Sequence, residues 1–256
     1  MRLNKYIAET GICSRREADR LIQERRVRVN GREAEIGTTV EDGDEVRVDN
    51  RVVRAKTRGG EKVRVYIALN KPVGITCTTE RHVKGNIVDF VDHHERIYPI
   101  GRLDKDSEGL ILLTNDGDIV NEILRAENRH EKEYLVGVDR PVTNEFLAGM
   151  AGGVRLDRGE STNPCRVERI AKFGFRIVLT QGLNRQIRRM CEAFGYTVQQ
   201  LRRVRIDNVQ LGNLRVGAWR NLTPAELGKL LPRNAPKAQD VRPPRDDRQP
   251  RRTRRG

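Results

Sequence analysis

GRLDKDSEGLILLTNDGD, residues 101–118, is the stretch on which the fold turns. A polar loop with Gly101 and Gly109 at its ends runs into Leu110–Thr114, which is apolar almost throughout. An apolar run this short, bounded by turn residues, is expected to be a strand covered on both faces. A carboxylate on a loop held by such a strand is well placed for catalysis, because the rigid strand fixes the loop. Asp104 and Asp106 are the carboxylates on offer. An Asp in a Gly-rich loop is also ordinary turn chemistry, so the segment alone nominates a site without assigning it.

Working outward, strand and helix signals alternate from Tyr66 to about Leu231. YIALN (66–70) is a second short apolar run. Tyr134–Val138 and Phe175–Thr180 read as further strands. Asp118 stands where it can cap a helix carrying Ile119 and Ile123. Ile187, Met190, Cys191 and Phe194 repeat at the spacing of one helical face. Arg188 flanks that stripe, at the boundary between core and surface, while Arg185 and Arg189 point further toward solvent. Thr223, Pro224 and Glu226 fit an N-cap, a first-turn proline and an acidic third position, and Pro232 ends that helix. Short strands mixed with scattered helices predict an α+β domain over 65–231.

Toward the N-terminus, residues 1–50 read as a small αβ unit. A short helix over Leu3–Glu9 ends at Gly11. Ser14 and Glu17 form an S-x-x-E capping pattern, followed by Ala18, Leu21 and Ile22 on one helical face. VRVNG and EVRVD then alternate as strands do. Arg2, Lys5, Arg15, Arg16 and Arg20 crowd the helical part. Residues 51–64 lack apolar periodicity, contain Gly59-Gly60, and read as a linker. Residues 232–256 hold five prolines, eight Arg and one Lys against three Asp, and read as a disordered basic tail.

The formal net charge is +14, of which the tail carries +6, so the remaining chain is basic in its own right. That excess points to a polyanion, and nucleic acid before a membrane surface. No run approaches the length of a membrane span, and MRLNKYIAETG has no apolar signal core, so a cytoplasmic location is expected. Cys13, Cys77, Cys165 and Cys191 are far apart and form no C-x-x-C pair, as reduced thiols do. His82, His93, His94 and His130 lack metal-ligand spacing, and no metal is expected. Only 4% of residues are aromatic, too few for a surface that stacks many bases.

The quoted segment resembles the catalytic motif of the RsuA/RluA group of pseudouridine synthases. SEGLILLTNDGD points to the RsuA side of that group. ALNKPVGI (68–75), EKEYLV (131–136) and QGLNRQIRRMCEAFGY (181–196) extend the match over nearly the whole chain except its tail. RLNKYIAETGICSRREADRLIQERRVRVNG (2–31) resembles the S-four-like RNA-binding domain that the RsuA side carries. The resemblance implies a mixed, mainly antiparallel catalytic sheet and a role in RNA modification. It makes Asp104 the nucleophile, Arg188 the cation that keeps it ionised, and Tyr134 the active-site tyrosine of K-x-Y, with Lys132 as its lysine. It links Arg102 to filling the gap left by a flipped nucleotide, and makes Arg2, Lys5, Arg15, Arg16 and Arg20 contacts to structured RNA.

The chemistry is consistent with those residue types. Uridine must be detached at N1, turned over and rejoined to the sugar at C5. A carboxylate nucleophile splits that change into easier steps, and a flat ring can stack on an extruded base. Asp106 is read as holding its loop by local hydrogen bonds. No cofactor is required. Within the group, the chain is most similar to the synthases of large-subunit ribosomal RNA, which implies that RNA as partner, with a tRNA as a second substrate, and a monomer. A non-catalytic RNA-binding assembly factor, and the same enzyme acting on small-subunit RNA, stay open as alternatives.

Overall fold

The computed structural model describes residues 1–54, 57–58, 61–62, 64–80, 82–124, 130–157 and 159–231, so the expected tail 232–256 lies outside the described residues. The chain divides into two compact units, Met1–Val63 and Arg64–Gly256.

In the first unit, α1 (Leu3–Glu9) and α2 (Arg15–Gln23) precede a small antiparallel sheet of β1 (Val27–Val29), β2 (Arg32–Glu33), β3 (Val46–Val48) and β4 (Arg51–Val52), in the order β2-β1-β3-β4. Leu3 and Ile7 of α1 join Ala18, Leu21 and Ile22 of α2 in a core closed by Val27, Val46 and Val48. Ser14 caps α2 by accepting the Glu17 N–H at 3.1 Å. The reciprocal half of the expected box does not form, because the Glu17 carboxylate bonds Arg20 instead. The expected linker 51–64 also differs. Arg51–Val52 pairs with β3 and Val53 is buried in the same core, so the first unit's packing reaches at least that far. Beyond it, β5 (Thr57–Arg58) pairs with β6 (Glu61–Lys62).

The second unit contains β7 (Tyr66–Lys71), α3 (Ile87–Val91), β8 (Tyr98–Ile100), β9 (Glu108–Thr114), α4 (Gly117–Leu124), β10 (Lys132–Val138), α5 (Asn144–Ala151), β11 (Arg166–Ala171), β12 (Gly174–Leu179), α6 (Gln186–Ala193), β13 (Val198–Ile206), β14 (Val209–Gln210), β15 (Trp219–Asn221) and α7 (Pro224–Leu230). Its nine-stranded sheet runs β11-β12-β10-β13-β9-β7-β15, with β14 on β13 and β8 on β9. Every pairing is antiparallel except β13 with β9. This is the α+β, mixed and mainly antiparallel sheet that the sequence led us to expect.

The apolar runs become strands because both sheet faces are covered. Ile67 and Leu69, with Ile111 and Leu113, enter one core together with Ile187, Met190 and Cys191 of α6. Tyr66 and Ala68, with Leu110 and Leu112, enter the opposite core under α4 and α7. Alternating side chains that are all apolar leave no face for water. Thr223 and Glu226 form a complete capping box at α7. At α4 the expected Asp118 cap is replaced. Asp118 lies inside the first turn, and the Asp116 carboxylate accepts its N–H at 3.2 Å.

Candidate active site

The loop 102–106 lies between β8 and β9, and each of its backbone carbonyls has a partner. Arg203 Nη1 donates to Arg102 O at 3.4 Å. The Cys77 thiol donates to Leu103 O at 3.1 Å and accepts the Leu103 N–H at 3.4 Å. Ser107 N donates to Asp104 O at 3.1 Å, and Gly74 N to Lys105 O at 2.7 Å. Arg188 Nη2 donates to Asp106 O at 3.0 Å. Burial pushes the Cys77 thiol pKa up, which keeps it protonated for the donor half of its role. A loop pinned at five successive carbonyls holds its side chains in fixed directions.

Asp104 is half-buried, and its carboxylate makes no hydrogen bond or ion pair among the described residues. Cations surround it at longer range. Lys71, fully buried, turns its ammonium back on Pro72 O at 2.9 Å and Ile75 O at 3.0 Å. Burial lowers the Lys71 pKa and the charge of Arg203 lowers it further, while Asp104 and Asp106 pull the other way. Arg185 also feels the Asp104 charge. A carboxylate held in place but left without a partner keeps its lone pairs for a substrate.

Arg188 departs from its expected place in two ways. It is only 9% exposed, well inside the boundary position that its helical angle implies. Its guanidinium also serves Asp106 rather than Asp104: besides the carbonyl, it lies 3.4 Å from the Asp106 carboxylate and donates to Val198 O at 3.2 Å. Arg185, in a left-handed conformation at the start of α6, meets the same carboxylate at 3.0 Å. Asp106 therefore ties the loop to α6 through two arginines and is not restricted to local turn bonds. Arg189, expected toward solvent, is enclosed by Asp157 and Glu160.

Burial acts to raise the Asp106 pKa, but the Arg185 hydrogen bond and the charges of Arg188 and Arg185 outweigh it, and the net shift is downward. A carboxylate with a lowered folded-state pKa stabilises the fold above its ordinary value and loses that contribution as the pH falls through the lowered one. Asp106→Asn is therefore expected to flatten the loss of thermal stability below the ordinary carboxylate value of 3.8, with a lower melting temperature than the parent at neutral pH. Melting curves of both proteins across that range check it.

Tyr134, on β10, is nearly buried at 9% exposure. The Arg203 guanidinium lies over its ring at 5.9 Å. Arg203 belongs to none of the sequence motifs, being one of three arginines at 202, 203 and 205. A register shift between Glu133 and Tyr134 sets Arg203 opposite Tyr134. The one available signal was that Leu201, Val204 and Ile206 occupy both parities of the strand, so both its faces are covered. Arg102, by contrast, is exposed. Arg188 thus meets the loop at Asp106 and Tyr134 meets Arg203, which reaches the loop at Arg102, while no hydrogen bond or ion pair among the described residues joins Tyr134, Arg188 and Asp104 to one another.

In the first unit, Lys5 pairs with Glu9 at 3.9 Å, and Arg20 with Glu17 and Glu24. Arg2, Arg15 and Arg16 are exposed and make no ion pair among the described residues.

A carboxylate without a partner among the described residues, on a braced loop with cations around it, suits nucleophilic chemistry on an anionic substrate. Residues 65–193 match the model of the RNA pseudouridylate synthase family, and residues 1–46 match the S4 domain. The chain is 56% identical over 243 residues to the dual-specificity RNA pseudouridine synthase RluF of Escherichia coli strain K12, covering 95% of this chain and 82% of that one. It is 35% identical over 238 residues to the ribosomal large subunit pseudouridine synthase B of Bacillus subtilis strain 168, covering 90% and 95%. A crystal structure of a pseudouridylate synthase, 31% identical, superposes with a TM-score of 0.66 over 90% of this chain and 100% of its own. The chain belongs to the RNA pseudouridine synthase family, isomerases that act on RNA. No helix among the described residues is long and apolar enough to cross a membrane.

Proposed function

We propose that the chain isomerises a uridine of large-subunit ribosomal RNA, with a tRNA as a second substrate, and that Asp104 is the nucleophile. The observation that carries the reading is the unpartnered Asp104 carboxylate on a loop whose every carbonyl is engaged. The substrate reading rests on the relatives, one named a ribosomal large subunit pseudouridine synthase and the other a dual-specificity RNA pseudouridine synthase. Tyr134 offers its ring to the extruded base, and Arg102, exposed beside the nucleophile, enters the space that base leaves in the helix. Arg188 acts through Asp106, holding the loop in register with α6. The protein works as a cytoplasmic monomer.

No organic cofactor is needed, since the reaction breaks the N1–sugar and C5–H bonds and forms the C5–sugar and N1–H bonds, with no net redox change. Pseudouridine mapping of total RNA tests the target. Cells making this chain should carry one or a few modified sites that vanish in cells making Asp104→Asn. Identical maps, with no other synthase covering those sites, would return the chain to the non-catalytic RNA-binding reading.

The first unit captures RNA through Arg2, Lys5, Arg15, Arg16 and Arg20, with the three unpaired arginines contributing most. Reversing Arg15 and Arg16 to Glu should weaken binding by at least about tenfold and lower the salt slope by about two units, since each phosphate contact adds roughly one unit to the slope. Turnover at saturating RNA should not change. Filter binding across a salt series would decide it, and an unaltered slope would remove these arginines from the interface.

A further inference from the structure

The Asp104 loop is braced from four directions, and one brace also reaches the tyrosine. Arg203 lies on β13 with only 3% of its surface exposed. Its Nε donates to Leu110 O at 2.6 Å, on β9 just after the loop. Its Nη1 reaches Arg102 O at 3.4 Å, just before Leu103 and Asp104. Its Cζ lies 5.9 Å from the Tyr134 ring centre. One planar group therefore bonds both ends of the loop and lies over the ring that would stack on the base, a geometry suited to the rigid fork of arginine and not to the point charge of lysine.

Two further facts point the same way. Nη2 is buried and has no hydrogen-bond acceptor among the described residues. A buried donor without an acceptor calls for an explanation beyond packing. Gly109 is stationed so that the backbone of Arg203 can come close. A Cβ there would lie 2.2 Å from Arg203 O, and β13 pairs with β9 at that residue.

We propose that Arg203 is a positioning residue for the isomerisation, fixing the loop that carries Asp104 and the Tyr134 ring relative to one another. The inference rests on Asp104 being the nucleophile. It assigns Arg203 no contact with the reacting atoms. A misplacement of about 1 Å costs on the order of a hundredfold in rate, which is the scale of effect expected.

The test compares the full-length Arg203→Lys, Arg203→Met and Asp104→Asn proteins with the parent. The substrate is unmodified large-subunit ribosomal RNA transcribed with uridine tritiated at C5, because joining C5 to the sugar releases that hydrogen. Single-turnover rates at saturating RNA are measured with RNA affinity. Thiol alkylation is followed cysteine by cysteine, since Cys77 grips Leu103 while Cys165 packs elsewhere, its thiol donating to Met150 O.

Arg203→Lys and Arg203→Met should each lose about a hundredfold in rate while affinity stays within about twofold. Cys77 should be alkylated faster with Cys165 unchanged, because the loop loosens locally. An inactive Asp104→Asn beside a normal Arg203→Lys would overturn this inference alone. So would a loss confined to affinity, or an equal rise at Cys77 and Cys165, which marks general unfolding. An active Asp104→Asn would overturn the nucleophile reading, and this inference with it.

Discussion

Asp104→Asn should reduce the single-turnover rate by about a thousandfold or more while leaving RNA affinity nearly unchanged. Asparagine keeps the shape of aspartate but lacks its charge and most of its nucleophilicity. The surroundings of Asp104 predict that the loss falls on the rate. Among the described residues its carboxylate holds no hydrogen bond or ion pair that the fold would miss, and its loop is pinned through backbone carbonyls that the substitution leaves intact. Melting temperature should therefore stay close to that of the parent. Tritium release from C5-labelled RNA gives the rate, and a gel-shift titration gives the affinity. A variant that binds normally and still releases tritium at the parental rate would remove Asp104 from the chemistry. A variant that melts early would mean that the carboxylate serves the fold.

The largest expected effect on stability is at Gly109. Its φ of +113° lies where L side chains are strained, and a Cβ would meet Arg203 O at 2.2 Å, Arg203 N at 2.7 Å and Arg203 C at 3.0 Å. These are backbone atoms of a paired strand and cannot swing away as a flexible side chain can. Strain at such a dihedral costs about 1–3 kcal/mol, and overpacking adds about 1–3 kcal/mol. Gly109→Ala should thus lower the melting temperature by about 10 °C, given roughly 2–4 °C per kcal/mol for a chain of this size. Gly228→Ala is a fair control, because a Cβ at this glycine of α7 meets nothing within 4 Å. Equal melting temperatures for the two variants would show that β9 and β13 can separate at Gly109 without cost.

Much of this molecule was legible before any coordinates. The span of α1, the capped start of α2, the burial of β7 and β9, the complete cap of α7 and the basic helical part of the first unit all follow from local rules: periodicity, capping chemistry and charge. Asp104 was nominated as well, because the residues around it form a long motif. These features depend on neighbours in the chain, which a sequence displays.

What the sequence did not display depends on residues far apart. Gly109 read as the end of a loop, yet it lies inside β9, and its lack of a side chain serves the approach of β13. Asp106 read as a turn residue, yet two arginines of α6, 79 and 82 positions away, share it. Arg188 read as the partner of Asp104 and proved to hold the loop one step removed. Arg203 belongs to no motif of the sequence, and a single irregularity in the register set it against Tyr134. The sequence by itself determined the buried strands, the capped helices and the excess of positive charge, and it nominated Asp104, since each is encoded within a few residues. Only the tertiary structure decided which cations brace that carboxylate's loop. Strand pairing and register set that, because a shift of one residue turns each side chain to the opposite face.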